Sequence, residues 1–181
     1  MQLIEGILFE PVGCLAEFPS EEFNEIAVRL FDRKKKASKS ASRSEDVVPA
    51  LSELKAMGIR LVIASSLSDT AISHFLEKFS LKDFFSEVWT RDNASGIKVV
   101  PLVKAIINAS FKPEHVMFLT DTAEGLKVAK EVGVNSILMI NDPDEARRLA
   151  MDDPAGGIVS LHELPDFIRL IVAENARLPR L

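Results

Sequence analysis

The sequence predicts an α/β fold, a three-layer sandwich in which helices cover both faces of a mostly parallel, Rossmann-like sheet. Short apolar runs alternate along the chain with amphipathic segments that have helical periodicity. Gly58 and Gly133 follow two of the amphipathic segments, where a helix often ends on a left-handed residue. Alternating strands and helices with short connections predict parallel strands joined by right-handed crossovers.

Five apolar or β-branched runs read as buried strands: residues 3–9, 60–64, 86–90, 115–119 and 135–140. Five amphipathic segments read as helices: residues 44–57, 68–79, 99–109, 122–132 and, as a terminal helix packed on the sheet, 161–178.

The stretch after the first strand departs from this alternation. Residues 19–32 form one helical pattern, and residues 33–43 read RKKKASKSASR, with six basic residues and no large apolar side chain. Such a composition is typical of a linker. We therefore expect a single domain over residues 1–181, interrupted by a small insertion over residues 16–43 that contains the basic segment 33–43.

Composition excludes several classes of protein. No apolar run approaches the ~18 residues of a membrane helix, and the N-terminus has no secretory pattern. The net charge of −5 argues against binding to nucleic acid or to anionic membranes. Because Cys14 is the only cysteine, no internal disulfide can form, and we expect a reducing, cytoplasmic setting.

Polar residues follow several of the predicted strands. Glu10, Ser65 and Asp121 come after the first, second and fourth strands, and Lys98 precedes the helix that leads to the fourth. The carboxyl ends of parallel strands meet at one edge of the sheet, where ligands bind in such folds. Carboxylates, a hydroxyl and a lysine at this edge would suit a phosphate group and a divalent cation.

The same residues lie in four segments that resemble the motifs of the haloacid dehalogenase-like (HAD-like) phosphohydrolases. Residues 9–15, FEPVGCL, resemble the first motif, an apolar strand followed by Asp-x-Asp-Gly-Thr-Leu. The other three segments are LVIASS (61–66), GIK (96–98) and VMFLTDTAEGL (116–126). The fourth is most similar to the enolase-phosphatase branch, and the phosphoglycolate-phosphatase-like branch is nearly as close.

This resemblance implies a role for each matching residue. Ser65 would bind the phosphoryl group and Lys98 would steady the reacting groups. Asp121, Glu10 and the backbone carbonyl of Val12 would hold Mg²⁺. The small insertion would be a reduced cap, and the expected ligand is a small molecule that carries phosphate.

The first motif departs from the family pattern at both catalytic positions. Glu10 replaces the nucleophilic Asp and reaches further by one C–C bond, about 1.5 Å. Val12 replaces the general acid/base, and Pro11 between them fixes φ and removes a backbone donor. A misplaced nucleophile costs about 10² in rate and a lost acid/base about 10²–10⁴, a combined deficit of about 10⁴–10⁶. We expect Mg²⁺ binding to be weak or absent.

Three functions stay open at this point. The leading hypothesis is a degenerate phosphatase, a pseudoenzyme kept for binding a ligand or a partner. The rival is an active Mg²⁺-dependent phosphomonoester hydrolase that uses Glu10 as its nucleophile. The third is a protein-interaction module or homo-oligomer in which the old site is idle. Plainer roles also compete: Ser65 could cap the next helix, Asp121 and Lys98 could form a structural ion pair, and Cys14 could be only a packed side chain.

Overall fold

A computed structural model of the chain describes residues 4–16, 46–97 and 99–177. It contains one six-stranded sheet in the order β3-β2-β1-β4-β5-β6, and all of the paired strands are parallel. The strands are β1 (Gly6–Phe9), β2 (Arg60–Ala64), β3 (Glu87–Trp89), β4 (Val116–Thr120), β5 (Asn135–Met139) and β6 (Gly156–Ile158). The five predicted strands are confirmed, most of them one to three residues shorter than the sequence suggested.

Within the described residues, six helices connect and cover the strands. They are α1 (Val47–Ala56), α2 (Asp69–Lys78), α3 (Val99–Asn108), α4 (Ala123–Val132), α5 (Pro143–Leu149) and α6 (Leu164–Arg177). The five predicted helices are confirmed in these positions. The start of the predicted terminal helix is a separate 3-10 turn, Leu161–Glu163.

Two elements were missed, and each lacks the pattern that sequence reasoning relies on. The strand β6 has the sequence GGI, with one large apolar side chain. It therefore lacks the run of apolar residues that predicts a buried strand. The helix α5 reads PDEARRL and buries only Leu149. An N-cap stabilises the start of this helix instead, because the Asp142 carboxylate accepts hydrogen bonds from the backbone N–H groups of Asp144 and Glu145.

The sheet divides the apolar core into two layers, as a three-layer sandwich requires. Ile7 and Phe9 of β1 point to one face, which α1, α2 and α6 cover, whereas Leu8 points to the other face, against α3 and α4. All three side chains are fully buried. The sheet therefore holds the end of β1 rigidly from both sides.

Two parts of the prediction lie outside the described residues: the helix at 19–32 with the basic segment 33–43, and Lys98. In the portions of the chain that the structure describes, no helix has the length and apolar character needed to cross a membrane.

Candidate functional site

The candidate site lies where β1 and β4 are neighbours, at the carboxyl edge of the sheet. The strand order reverses between these two strands, because β2 and β3 extend to one side and β5 and β6 to the other. Ligand sites of doubly wound sheets occur at this switch point. Glu10 follows β1, and its backbone N–H donates to the carbonyl of Leu119 in β4 at 3.0 Å. Asp121 follows β4 directly, so the structure brings the two predicted carboxylates to the same crevice.

Threonine hydroxyls hold the Glu10 carboxylate against β4. The Thr120 hydroxyl donates a short hydrogen bond to Oε2 of Glu10, and the Thr122 hydroxyl donates to the same oxygen at 3.2 Å. Thr120 is completely buried, and a Cβ at Gly125 would collide with its Oγ1. Gly125 therefore leaves the space that Thr120 needs to reach Glu10. Sequence reasoning did not single out either threonine, although both flank Asp121.

Burial raises the pKa of the Glu10 carboxyl above its usual value. The hydrogen bond from Thr120 lowers this pKa, and the negative charge of Asp121 raises it further. The net effect is that folding disfavours the ionised carboxyl relative to the unfolded chain.

The raised pKa predicts a pH effect on stability. The protonated form of Glu10 is favoured by folding, so its contribution is present below the unfolded value near 4.5 and is lost as pH rises through the folded pKa. Glu10→Gln is uncharged at every pH and keeps an oxygen for Thr120. We expect this variant to lose less stability than the wild type between pH 4.5 and 7.5, as measured by urea unfolding.

The matched control is Glu131→Gln, which changes an exposed glutamate on α4. It should follow the wild-type stability profile. If Glu10→Gln also follows that profile, Glu10 is ionised in the fold with no penalty.

Asp121 is held from the other side by Asn141 and Gly13. One amide nitrogen, Nδ2 of Asn141, donates to Oδ2 of Asp121 at 3.1 Å and to the carbonyl of Gly13 at 2.9 Å. Gly13 has φ of 87°, and a Cβ there would collide with the Asp121 carboxylate. A glycine at this position thus lets the loop after β1 lie against Asp121. Asn141 was also missed, because it follows β5 without any motif around it.

The loop after β1 is closed by its own backbone. The N–H of Leu15 donates to the carbonyl of Pro11 at 2.9 Å, and the N–H of Gly13 donates to the carbonyl of Ala16 at 2.9 Å. Val12 packs as a partly buried side chain against the core. Residue 12, to which the resemblance assigns acid/base catalysis, therefore carries an apolar group that can neither give nor take a proton.

Ser65 is buried at the end of β2, beside β1. Its Oγ accepts a hydrogen bond from the N–H of Leu67 at 3.1 Å, which closes a turn. The helix α2 is capped by Ser68 instead, whose Oγ accepts from Ala71 at 3.2 Å. The expectation that Ser65 caps the next helix is thus wrong, and a hydroxyl that accepts this bond still has a proton to donate.

A small cavity adjoins Glu10. Its volume is about 20 Å³, and its lining includes Ala64, Ser66, Glu124 and Gly125. A space of this size holds about one water molecule, since roughly 10–15 Å³ is the minimum for one. A phosphate group would need the surrounding side chains to move.

Cys14 is a packed side chain, as the plainer interpretation predicted. It is buried, and burial together with the charges of Asp121 and Glu10 raises its thiol pKa well above the usual value. The thiol is therefore neutral and unreactive.

The oxygen atoms at this edge suit a magnesium ion in chemistry and charge. Mg²⁺ prefers carboxylate and carbonyl oxygens, which Glu10, Asp121 and the backbone of Val12 could supply. The Asp121 charge raises the Glu10 pKa, so a cation between the two groups would relieve their repulsion. Among the residues with described positions, no three His, Cys, Asp or Glu side chains are grouped to hold a metal. A bound ion would therefore depend on backbone oxygens and water.

Comparison with known proteins finds relatives of similar sequence. The phosphoglycolate phosphatase of Salmonella choleraesuis (strain SC-B67) is 24% identical over 142 residues, which cover 76% of this chain and 56% of that protein. The chain thus spans little more than half the length of the curated relatives it matches.

Solved structures share the fold at low sequence identity. A haloacid dehalogenase-like family protein from Streptococcus pneumoniae superposes with a TM-score of 0.72 at 15% identity, over 93% of this chain and 100% of that one. CbbY from Rhodobacter sphaeroides, in complex with phosphate, has a TM-score of 0.67 at 19% identity, over 90% and 96% of the two chains.

The family model for haloacid dehalogenase-like hydrolases matches residues 14–139. The matched segment begins at Cys14 and includes Ser65 and Asp121. Since it covers well over half of the 181 residues, the chain belongs to the haloacid dehalogenase-like hydrolases.

Proposed function

We propose that this chain is a degenerate phosphatase with little or no turnover, whose site is kept for binding a phosphate-bearing small molecule or a protein partner. The observation that carries the proposal is the state of Glu10. One of its carboxylate oxygens is held by the hydroxyls of Thr120 and Thr122, and burial raises its pKa, so the fold disfavours its ionised form relative to the unfolded chain.

One further observation supports low turnover. Val12 gives the site no proton donor or acceptor at the acid/base position. Nucleophile and acid/base each contribute orders of magnitude in rate, so their joint loss lowers turnover from a common ~10 s⁻¹ to about 10⁻³ s⁻¹ or below.

The direct test is hydrolysis of an aryl phosphate in the presence of Mg²⁺. We expect the purified wild-type chain to release phosphate at no more than the background rate. The control is Glu10→Ala, which should give the same background. A wild-type turnover near 1 s⁻¹, within the usual range of enzymes, that vanishes in Glu10→Ala would instead establish the rival function, an active hydrolase with a glutamate nucleophile.

One observation favours the alternative of an interaction module. On α3, Val100 and Ile107 lie seven residues apart on one face and are exposed, and Ile97 just before the helix is exposed as well. A comparison of the sedimentation of the wild type and of the Ile107→Lys variant would show whether this face forms a dimer interface. A change in the sedimenting mass on substitution would support the module, and a wild-type monomer would count against self-association.

Members of this family generally use Mg²⁺, and a thermal melt tests whether this chain binds it. With a dissociation constant of about 1 mM, 10 mM Mg²⁺ would stabilise the fold by about 1.4 kcal/mol, or a few degrees for a domain of this size. We expect a shift no larger than this, because the longer Glu10 side chain fits the strict octahedral geometry of Mg²⁺ poorly.

The control for the melt is Asp121→Asn, which keeps the shape of the side chain but removes its charge. A wild-type shift that disappears in this variant supports metal binding at the candidate site. An equal increase in melting temperature for both proteins would mean that Mg²⁺ binds elsewhere and not at the candidate site.

A further inference from the structure

The loops that follow β2 and β3 are joined by backbone hydrogen bonds at the carboxyl edge of the sheet. The N–H of Ser65 donates to the carbonyl of Trp89, the last residue of β3, at 2.9 Å. The N–H of Arg91 donates to the carbonyl of Leu67 at 3.1 Å. The loop that carries the predicted phosphate-binding hydroxyl is therefore held by residues 90–95, to which neither the resemblance to the family nor the proposed function gives a role.

Asp92 adds a side-chain contact between the two loops. Its Oδ2 accepts a hydrogen bond from the backbone N–H of Asp69, the first residue of α2, at 2.8 Å. The first N–H groups of a helix have no partner within the helix, and a carboxylate there also interacts favourably with the helix dipole. Asp92 therefore caps α2 from another loop, whereas Ser68, which accepts from the N–H of Ala71, caps it from its own.

The loop that carries Asp92 is fixed by hydrogen bonds of its own. The N–H of Thr90 donates to Oδ1 of Asn93 at 2.7 Å, and the N–H of Ala94 donates to the carbonyl of Thr90 at 3.0 Å. Nδ2 of Asn93 donates to the carbonyl of Val88 in β3 at 2.8 Å. Thr90 is completely buried. The position of Asp92 is thus set by β3 and its loop, and not by the helix that it caps.

Leu67 links this contact to the candidate site. Its N–H donates to Oγ of Ser65 at 3.1 Å, so the Ser65 hydroxyl proton is directed elsewhere and can be donated to an anion. The carbonyl of Leu67 is held by Arg91, and Asp69, two residues further on, is held by Asp92. Without the Asp92 contact, residues 67–69 would be free to move, and the N–H that orients the Ser65 hydroxyl would move with them.

We propose that Asp92 is a positioning residue for the Ser65 hydroxyl and thereby strengthens the binding of a phosphate group at the candidate site. It acts through Asp69 and Leu67 and is not itself in contact with the ligand. The inference rests on the proposed function only in taking phosphate as the ligand. The sign of the effect is diagnostic, because Asp92 is an anion and its charge alone would repel phosphate.

The first test is amide hydrogen exchange of the ¹⁵N-labelled full chain, followed by NMR at Leu67. One hydrogen bond changes an equilibrium about two- to tenfold, so Asp92→Ala should speed exchange at Leu67 by about this factor. Asp92→Asn keeps an oxygen that can accept from Asp69, and it should exchange at the wild-type rate. The matched control is Ser68→Ala, which removes the other cap of α2 and should speed exchange at Ala71 but not at Leu67.

Two outcomes of this exchange experiment would overturn the proposal. One is a Leu67 rate that Asp92→Ala leaves unchanged. The other is a Leu67 rate that Ser68→Ala raises as much as Asp92→Ala does, since the end of the helix would then hold the loop.

The second test is a titration of the same four proteins with inorganic phosphate at constant ionic strength, observed at the Ser65 amide. We expect Asp92→Ala to weaken phosphate binding, by up to about tenfold. Asp92→Asn should bind phosphate at least as tightly as the wild type, because it keeps the contact and removes a negative charge. Ser68→Ala should bind phosphate as the wild type does.

If both Asp92 variants bind phosphate more tightly than the wild type, Asp92 acts only as a nearby charge and the proposal is overturned. If the wild type binds no phosphate, the phosphate ligand of the proposed function is wrong. Hydrogen exchange at Leu67 then decides by itself whether Asp92 positions the loop that carries Ser65.

Discussion

The double variant Glu10→Asp, Val12→Asp should hydrolyse an aryl phosphate at least about 10²-fold faster than the wild-type chain. A positioned general acid/base contributes about 10²–10⁴ in rate, and Val12→Asp restores that group. Glu10→Asp withdraws the carboxylate by about 1.5 Å from the hydroxyl of Thr120 and towards β1. The lost methylene also enlarges the cavity of about 20 Å³ beside residue 10.

The measurement is the initial rate of phosphate release with Mg²⁺, and the matched control is Glu10→Asp, Val12→Asn. Asparagine has the shape of the restored acid but cannot transfer its proton. The double aspartate variant should exceed this control by the contribution of the acid/base. If both variants fold and hydrolyse at the same rate, the site has drifted further than two side chains, and Pro11 in the loop between them is the first residue to examine.

Gly13→Ala should lower the free energy of unfolding by about 2–6 kcal/mol. A side chain at φ of 87° costs about 1–3 kcal/mol, and forcing a methyl group into occupied space costs about as much again. The occupied space is the carboxylate of Asp121, with which the new Cβ would collide. Urea unfolding of the variant and the wild type measures the difference.

The control is Gly133→Ala, at a glycine with φ of 78° and no atom within 4 Å of its would-be Cβ. It should cost only the strain of the left-handed backbone, about 1–3 kcal/mol. A double-mutant cycle isolates the collision, since Gly13→Ala in an Asp121→Ala background should cost no more than the control. If both glycine variants lower the free energy of unfolding equally in the wild-type background, the loop after β1 accommodates the methyl group without a further loss of stability.

The periodic part of the fold was predictable from sequence because it depends on burial. Each predicted strand forms a buried or half-buried run, and each predicted helix within the described residues has an apolar stripe that faces the sheet. Such patterns can be recognised from the spacing of apolar residues in the sequence. The strand Gly156–Ile158 and the helix Pro143–Leu149 carry little of this signal. One is fixed by pairing with β5, and the other by its Asp142 cap.

The candidate site was likewise predictable from sequence only in part. Glu10, Ser65 and Asp121 were predicted because each follows a strand, and topology then brings strand ends together. The hydrogen bonds that decide their chemistry were not predictable in this way. The bond from Thr120 to Glu10 joins residues 110 positions apart, and it depends on strand register and on the missing side chain of Gly125.

The loop after β1 is closed by its own backbone hydrogen bonds. The segment that follows this loop can therefore change in length without disturbing the sheet. The register of β1 against β2 and β4 is complete at Phe9, and the N–H of Gly13 closes the loop by donating to the carbonyl of Ala16, the last described residue before Asp46. Ala16 and Asp46 line one cavity of about 330 Å³, so these two flanking residues lie on the same side of the fold. Each doubling of a connection's length costs only about 0.6 kcal/mol of closure entropy. Evolution or an engineer could therefore exchange this segment for a longer module without re-registering the sheet.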